Sequence, residues 1–315
     1  MIFRNVLSGF LLMGLLAACA ITQAPPGNQN TAPMIEQDYF LAHDGLKLPL
    51  RRWAAQNPKA IILALHGMSD YSFAFDMPGP WWAEQGITTY AYDQRGFGAG
   101  PNPGLWAGSD VLRRDLDDAV DALRARHPGL PLFVLGESMG GAVVLSALAS
   151  ATPLHADGII LVAPAVWSRA DMPLSYRVAL WLAAHVIPSA NLSGSGLKIL
   201  ASDNIEMLRR NGRDPLFQKS ARADAIYGLV NLMDEARKAP AQVKSAPPIL
   251  LLHGINDQVI PEAPTKAVIA ELGSKADVRI YPKGYHMLLR DLEGPAVWKD
   301  VADWVKVPHS GSGNN

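Results

Sequence analysis

Cysteine is almost missing from this chain. Its 315 residues contain one, Cys19, so no internal disulfide can form and no cysteine cluster can hold a metal. An excess of charge of either sign is missing too. The 28 Lys and Arg stand against 29 Asp and Glu, for a formal net charge of −1. No basic stripe stands out, which removes nucleic acid from the expected partners. The zinc motif H-E-x-x-H is absent, so no catalytic metal is expected. Gly96, Gly98 and Gly100 do not have the spacing of a dinucleotide loop, and Pro101 and Pro103 follow where its helix should start. The expected cofactor is therefore none. No internal repeat is visible.

Apolar residues are plentiful, at 49% of the chain, enough for a large buried core. The first apolar run, Val6 to Ala18, is short for a membrane span. One early charge, Arg4, precedes it and small residues follow, which is the shape of a secretory signal. Leu16-Ala17-Ala18-Cys19 resembles the bacterial lipobox, in which the cysteine is lipidated and becomes the new N-terminus. Ala18-Cys19-Ala20 also reads as an A-x-A site, where ordinary cleavage would discard the cysteine. The lipobox is preferred because the one cysteine lies where a lipobox needs it. By resemblance to lipoprotein sorting patterns, Ala20 in place of aspartate points to the outer membrane. The expectation is a protein of the bacterial cell envelope, held to the membrane through lipidated Cys19; a secreted or periplasmic protein is the alternative. Residues 1–19 are then the signal, 20–33 a flexible tether rich in Pro, Gln and Asn, and 307–315 a loose tail.

Between tether and tail, short apolar runs alternate with helical patterns. "AIILALHG" (Ala60 to Gly67), "GITTYAYD" (Gly86 to Asp93), "PLFVLG" (Pro131 to Gly136), "GIILVAPA" (Gly158 to Ala165) and "PPILLLHG" (Pro247 to Gly254) read as buried strands, with "DVRIYPKG" (Asp277 to Gly284) a later one. They are continuous rather than alternating, as in a parallel sheet covered on both faces. Leu112, Leu116, Ala119, Val120 and Leu123 recur at helical spacing after an N-cap at Ser109 or Asp110, and Pro128-Gly129 ends that helix. The alternation predicts an α/β fold with right-handed crossovers. One interval breaks it. Residues 167–240 carry helical periodicity between two core strands, and an insertion of that size predicts a helical cap. The core is then 34–166 and 241–306.

The stretch "FVLGESMGGAVV" (Phe133 to Val144) fences one hydroxyl with glycines. Gly136-Glu137-Ser138-Met139-Gly140 matches G-x-S-x-G, a weak pattern alone. Here it stands between a buried strand and a helix of small residues. At a sharp strand-to-helix turn, side chains two residues either side of the serine would collide, so only very small residues fit. The competing reading, a glycine-rich helix start that binds phosphate, lacks a Lys or a second glycine run. A serine hydroxyl needs a base and an orienting acid. The elbow places them later, acid first and histidine after it. Of the eight histidines, His286 in "RIYPKGYHMLL" follows a strand and a glycine turn. Asp257 in "LLLHGINDQVIP" is the expected acid, and Asp93 in "YDQRGFG" is the alternative. His66 and His253 end strands in His-Gly pairs, where a ring usually bonds backbone. The oxyanion needs two backbone N–H groups, expected from Met139 and Met68.

His66-Gly67-Met68, "DQRGFG", "GESMGG", "HGINDQVIP" and "GYHML" together resemble the α/β-hydrolase superfamily. Within it they look most like the monoacylglycerol lipase and lysophospholipase group, of serine aminopeptidase S33 type. The stretch "GRDPLFQKSARADAIYGLVNLMDEA" resembles that group's cap. The resemblance spans about Met34 to Val305. It implies an α/β-hydrolase fold, a mostly parallel sheet flanked by helices, and a serine hydrolase that cleaves a small-molecule acyl ester, monoacylglycerol- or lysophospholipid-like, through an acyl-enzyme. A peptidase or amidase on the same triad, and a non-catalytic lipid-binding lipoprotein, are the alternatives. Members often carry His before the nucleophile, where this chain has Glu137. The cap's apolar residues Trp181, Ile226 and Met233 are expected to line the acyl pocket.

Overall fold

The computed structural model describes residues 21–194, 196, 198–243 and 246–307. Cys19, the expected signal and all but the first residue of the expected tail lie outside the described residues.

The chain opens with three antiparallel strands, β1 (Met34–Ile35), β2 (Tyr39–Leu41) and β3 (Lys47–Trp53). They join a parallel set: β4 (Ala60–Leu65), β5 (Ile87–Tyr92), β6 (Leu132–Glu137), β7 (Gly158–Val162), then β10 (Ile249–Gly254) and β11 (Ala276–Tyr281). The order across the nine-stranded sheet is β1-β2-β3-β5-β4-β6-β7-β10-β11. Two short strands, β8 (Asn191–Leu192) and β9 (Ala221–Arg222), pair separately.

Every residue of β4, β5, β6, β7 and β10 is buried. That burial is why these strands read as unbroken apolar runs: helices cover both faces. Along β4, Ile61, Leu63 and Leu65 pack into one core, while Ala60, Ile62 and Ala64 pack into another. The first core is closed by α2 (Ser109–Arg126), α3 (Met139–Leu148), α6 (Ala223–Gln242) and α7 (Glu262–Leu272). The second is closed by α1 (Pro78–Glu84) and α8 (Gly294–Lys306), through Trp82, Val297, Trp298 and Val301. Each such Val or Leu, fully buried, contributes about 1.5–3 kcal/mol. Between β7 and α6 lie α4 (Leu174–Val186) and α5 (Ile205–Arg213).

Three expectations change. The N-cap of α2 is Gly108, at φ +99° and with no side-chain cap, so neither Ser109 nor Asp110 serves. The helix is held there by backbone, the Leu112 N–H donating to the Gly108 carbonyl at 3.1 Å.

The cap is smaller than residues 167–240. The apolar row of α6 — Ala225, Leu232, Met233, Ala236, Ala239 — is buried in the first core, and α6 packs along α3. At Gly228 a Cβ would come 2.4 Å from the Trp106 ring, so the glycine lets helix and indole meet. Helix α4 is the exposed part, with Leu174, Tyr176, Val178, Trp181, Leu182 and Val186 open to solvent.

Residues 21–33 are not a free tether either. The Ala24 N–H donates to the Trp106 carbonyl at 2.8 Å, and Thr31 N–H to the His43 carbonyl at 2.8 Å. Gly27 N–H donates to Asp44 Oδ2 at 2.8 Å, and Asp44 is itself clamped by Arg95, which also holds buried Asp115. A Cβ on Gly27 would lie 2.1 Å from the Asp44 carbonyl oxygen. Composition suggested a linker, but these backbone groups find partners on the core.

Candidate active site

The carboxyl ends of β4, β6 and β10, with the loop after β11, converge on Ser138. The serine sits between β6 and α3 at φ +53°, ψ −116°, a strained left-handed conformation that the surroundings must hold. They do so with small residues. A Cβ on Gly136 would come 2.5 Å from the Gly140 carbonyl carbon, and one on Gly140 would come 2.2 Å from the Leu65 carbonyl oxygen. The Ser138 N–H donates to the Val162 carbonyl at 3.0 Å, and its own carbonyl accepts from Ala142 and Ala165. The hydroxyl is thereby lifted above the sheet edge.

His286 lies in the loop after β11. Its Nε2 is 2.9 Å from Ser138 Oγ, and its Nδ1 is 2.8 Å from Asp257 Oδ2. Asp257, just past β10, has a fully buried carboxylate. Its other oxygen accepts the N–H groups of Val259 and Ile260 at 2.8 and 3.0 Å. The carboxylate therefore cannot turn away, and it favours the tautomer in which Nδ1 carries the proton and Nε2 faces the serine. Burial pushes the Asp257 carboxyl up, but the His286 charge and hydrogen bond, with the two amides, hold it below the usual range. Burial pushes His286 down, but the Asp257 charge and hydrogen bond, and the Glu137 charge, raise it above an ordinary histidine.

Asp93, the alternative acid, is not at this site. Its two oxygens accept from the Ser72 and Ala99 amides, both at 2.9 Å, and it shapes the loop after β5.

Met139 opens α3, where backbone N–H groups have no intrahelical acceptor. Met68 follows Gly67, at which a Cβ would lie 3.1 Å from Ser138 Cβ, so its loop passes against the serine. That loop is pinned by His66. The ring Nδ1 donates to the Gly67 carbonyl at 2.8 Å, and Nε2 accepts the Gln94 N–H at 2.9 Å. Ser138, His286 and Asp257 thus meet beside the Met68 and Met139 backbone.

The three expected pocket residues are not brought together. Trp181 is exposed on α4, stacked on His185 with ring centres 4.5 Å apart. Ile226 is half-buried on α6. Met233 is buried in the core, so its apolar spacing reported packing rather than a pocket. A cavity of about 1080 Å³, lined by Lys59, Arg124, Asp157 and Lys306, lies at the opposite, amino ends of the strands. One group at the site had no sequence signal at all: Arg290, which reaches buried Asp70 at 2.6 Å and Glu137 at 3.3 Å.

The model of one protein family, described as serine aminopeptidase, S33, matches residues 56–293. The chain belongs to the serine aminopeptidase S33 family. Among relatives of this chain, a human protein named monoglyceride lipase is 27% identical over 289 residues, covering 90% of this chain and 94% of its own. A monoacylglycerol lipase from Mycolicibacterium smegmatis is 26% identical over 282 residues, covering 84% and 95%. Among solved structures, a monoacylglycerol lipase of Paleococcus ferrophilus superposes with a TM-score of 0.69 at 21% identity, covering 82% of this chain and 98% of its own. That likeness shows the fold: the S33 chain is an α/β-hydrolase, with the mostly parallel, helix-flanked sheet described above.

Proposed function

We propose that this S33-family chain is a serine hydrolase of carboxylic esters, acting on monoacylglycerol- or lysophospholipid-like substrates. The observation that carries it is the unbroken relay from Asp257 through His286 to a strained Ser138. His286 takes the hydroxyl proton as Ser138 Oγ attacks the acyl carbon, and Asp257 stabilises the imidazolium that forms. The Met68 and Met139 amides receive the developing oxyanion. The intermediate collapses as His286 returns its proton to the leaving alcohol. Water, activated by the same histidine, then frees the acid and restores the serine. The names of the full-length relatives support an acylglycerol as substrate; the family's own description favours an amide as the second reading.

A substrate panel decides between them. Aryl esters of rising acyl length, monoacylglycerols, lysophospholipids and aminoacyl amides are compared by kcat/KM. With α4 offering an apolar surface, ester turnover is expected to rise with chain length by up to about 0.8 kcal/mol per buried methylene, up to a limiting length. Trp181→Ala is expected to flatten that rise and to leave acetyl-ester turnover nearly unchanged. A flat profile in the parent protein, with amides preferred, would decide for the peptidase.

The lipobox-like Leu16 to Cys19 supports a lipid anchor at Cys19 in the bacterial envelope, on the outer membrane. Mass spectrometry of the mature N-terminus reads this directly. The expected product begins at acylated Cys19; a released protein beginning at Ile21 would mean ordinary cleavage.

A further inference from the structure

Arg290 comes four residues after His286, and it is almost wholly buried, at 2% exposure. Its Nη2 lies 2.6 Å from Asp70 Oδ2 and 3.3 Å from Glu137 Oε2. Each partner belongs to a different piece of the site. Asp70 is two residues past Met68, on the loop that carries one oxyanion amide, and its Oδ1 accepts the Tyr71 N–H at 2.9 Å. Glu137 is the last residue of β6, covalently next to Ser138. Arg290 itself is on the histidine's loop, its N–H donating to the Met287 carbonyl at 2.8 Å. Its own carbonyl accepts from Asn204 Nδ2 at 3.0 Å. One side chain therefore ties the histidine loop to the other two catalytic segments.

Such a network is a poor device for stability alone, because buried ion pairs roughly balance desolvation against attraction. Among the described residues, Glu137 Oε1 and Arg290 Nε are buried with no protein hydrogen-bond partner. What a planar, always-charged guanidinium supplies is fixed direction between several acceptors. We propose that Arg290 is a positioning residue for ester cleavage, its guanidinium locking the oxyanion loop, the nucleophile elbow and the histidine loop into one register. This rests on the serine-hydrolase reading above.

The same geometry gives a pH signature. The charged and titratable groups around His286 are Asp257 and His253 from β10 and the loop after it, Glu137 from β6, and Asp70 beyond Glu137. Its own loop adds Arg290 and Asp291, whose Oδ2 accepts the Tyr285 N–H. Burial pushes the Glu137 carboxyl above the usual range while the Arg290 charge pulls it down; in its ionised form, paired with Arg290, it favours imidazolium. Removing that charge lowers the pH at which His286 gains its proton, so the acid limb of the rate profile moves to lower pH.

The test uses the full chain and a short aryl ester that the parent cleaves. Arg290→Lys keeps the charge but offers a single ammonium in place of the fork. Glu137→Gln keeps the shape and drops a charge. Active sites are counted by fluorophosphonate labelling, so that rates are per competent serine. Arg290→Lys is expected to lose about 10- to 100-fold in kcat, the scale of an ångström's misplacement, with KM within about threefold and the labelled fraction unchanged. Glu137→Gln is expected to shift the acid limb to lower pH. Parental kcat in Arg290→Lys would overturn the proposal, as would a loss fully explained by fewer labelled sites, or an acid limb unmoved in Glu137→Gln. If the parent neither hydrolyses esters nor labels at Ser138, the hydrolase reading itself fails, and this one with it.

Discussion

Ser138→Ala is expected to lower kcat for ester hydrolysis by at least about 10⁴-fold while the protein unfolds at nearly the parental temperature. The size follows from what the hydroxyl does. It is the atom that attacks, and its loss removes the acyl-enzyme route altogether; in a serine hydrolase that knock-out costs on the order of 10⁶ in kcat. What survives comes from the Met68 and Met139 amides and from substrate binding, which together are worth about 10³–10⁴ over water. Stability should hold because the positive φ at Ser138 is imposed by backbone bonds to Val162, Ala142 and Ala165, none of which uses the side chain. An alanine there bears the same strain as the serine. Fluorophosphonate labelling should vanish in parallel. A variant that kept a tenth of the activity would put the nucleophile elsewhere.

Gly140→Ala should damage activity and stability together. The new Cβ would lie 2.2 Å from the Leu65 carbonyl oxygen and 2.6 Å from its carbon. Those are backbone atoms in mid-sheet: Leu65 is opposite Gly136 in the β4–β6 ladder and is fully buried. Nothing flexible can give way, so α3 must move off the sheet. Overpacking of this kind costs about 1–3 kcal/mol. The movement also carries the Met139 amide and Ser138 with it, and a shift of about 1 Å at such a site costs about 10²-fold in rate. Gly212→Ala is the control. It is helical, with no neighbour within 4 Å of the new Cβ, and should gain about 0.4–1 kcal/mol. If Gly140→Ala unfolded no more readily than Gly212→Ala and turned over substrate normally, the steric account of the elbow would be wrong.

The parts of this molecule that could be read from sequence are those set by local chemistry. An unbroken Ile-Leu run such as Ala60 to Leu65 has to be a strand buried on both faces. A serine between Gly136 and Gly140, after such a run, has few other conformations open to it. Asp257 and His286 follow strand ends in chain order, and the structure brings both to Ser138. What escaped depends on which surface meets which. The apolar row of α6 has the period of any amphipathic helix, and the period says nothing of whether Met233 faces substrate or α3. Residues 21–33 have a linker's composition, yet their bonds to Trp106, His43 and Asp44 depend on loops that the fold brings to them. Arg290 and Asp70 are 220 residues apart in sequence, and an arginine after a catalytic histidine carries no mark of its partners.

The bonded segment before β1 has a consequence for reach. If Cys19 carries lipid, the slack between membrane and enzyme is set by the first bond to the folded body, where the Thr22 N–H meets Asp224 Oδ2 at 3.3 Å. At about 3.3–3.6 Å per residue, Cys19 to Thr22 spans roughly 10 Å at most. A chain loose as far as Pro33 would have allowed about 50 Å. With that anchor, the shorter mooring would give the enzyme a small radius of action. It would harvest acyl esters from the leaflet that holds it, and substrates adrift beyond the headgroups would have to come to it.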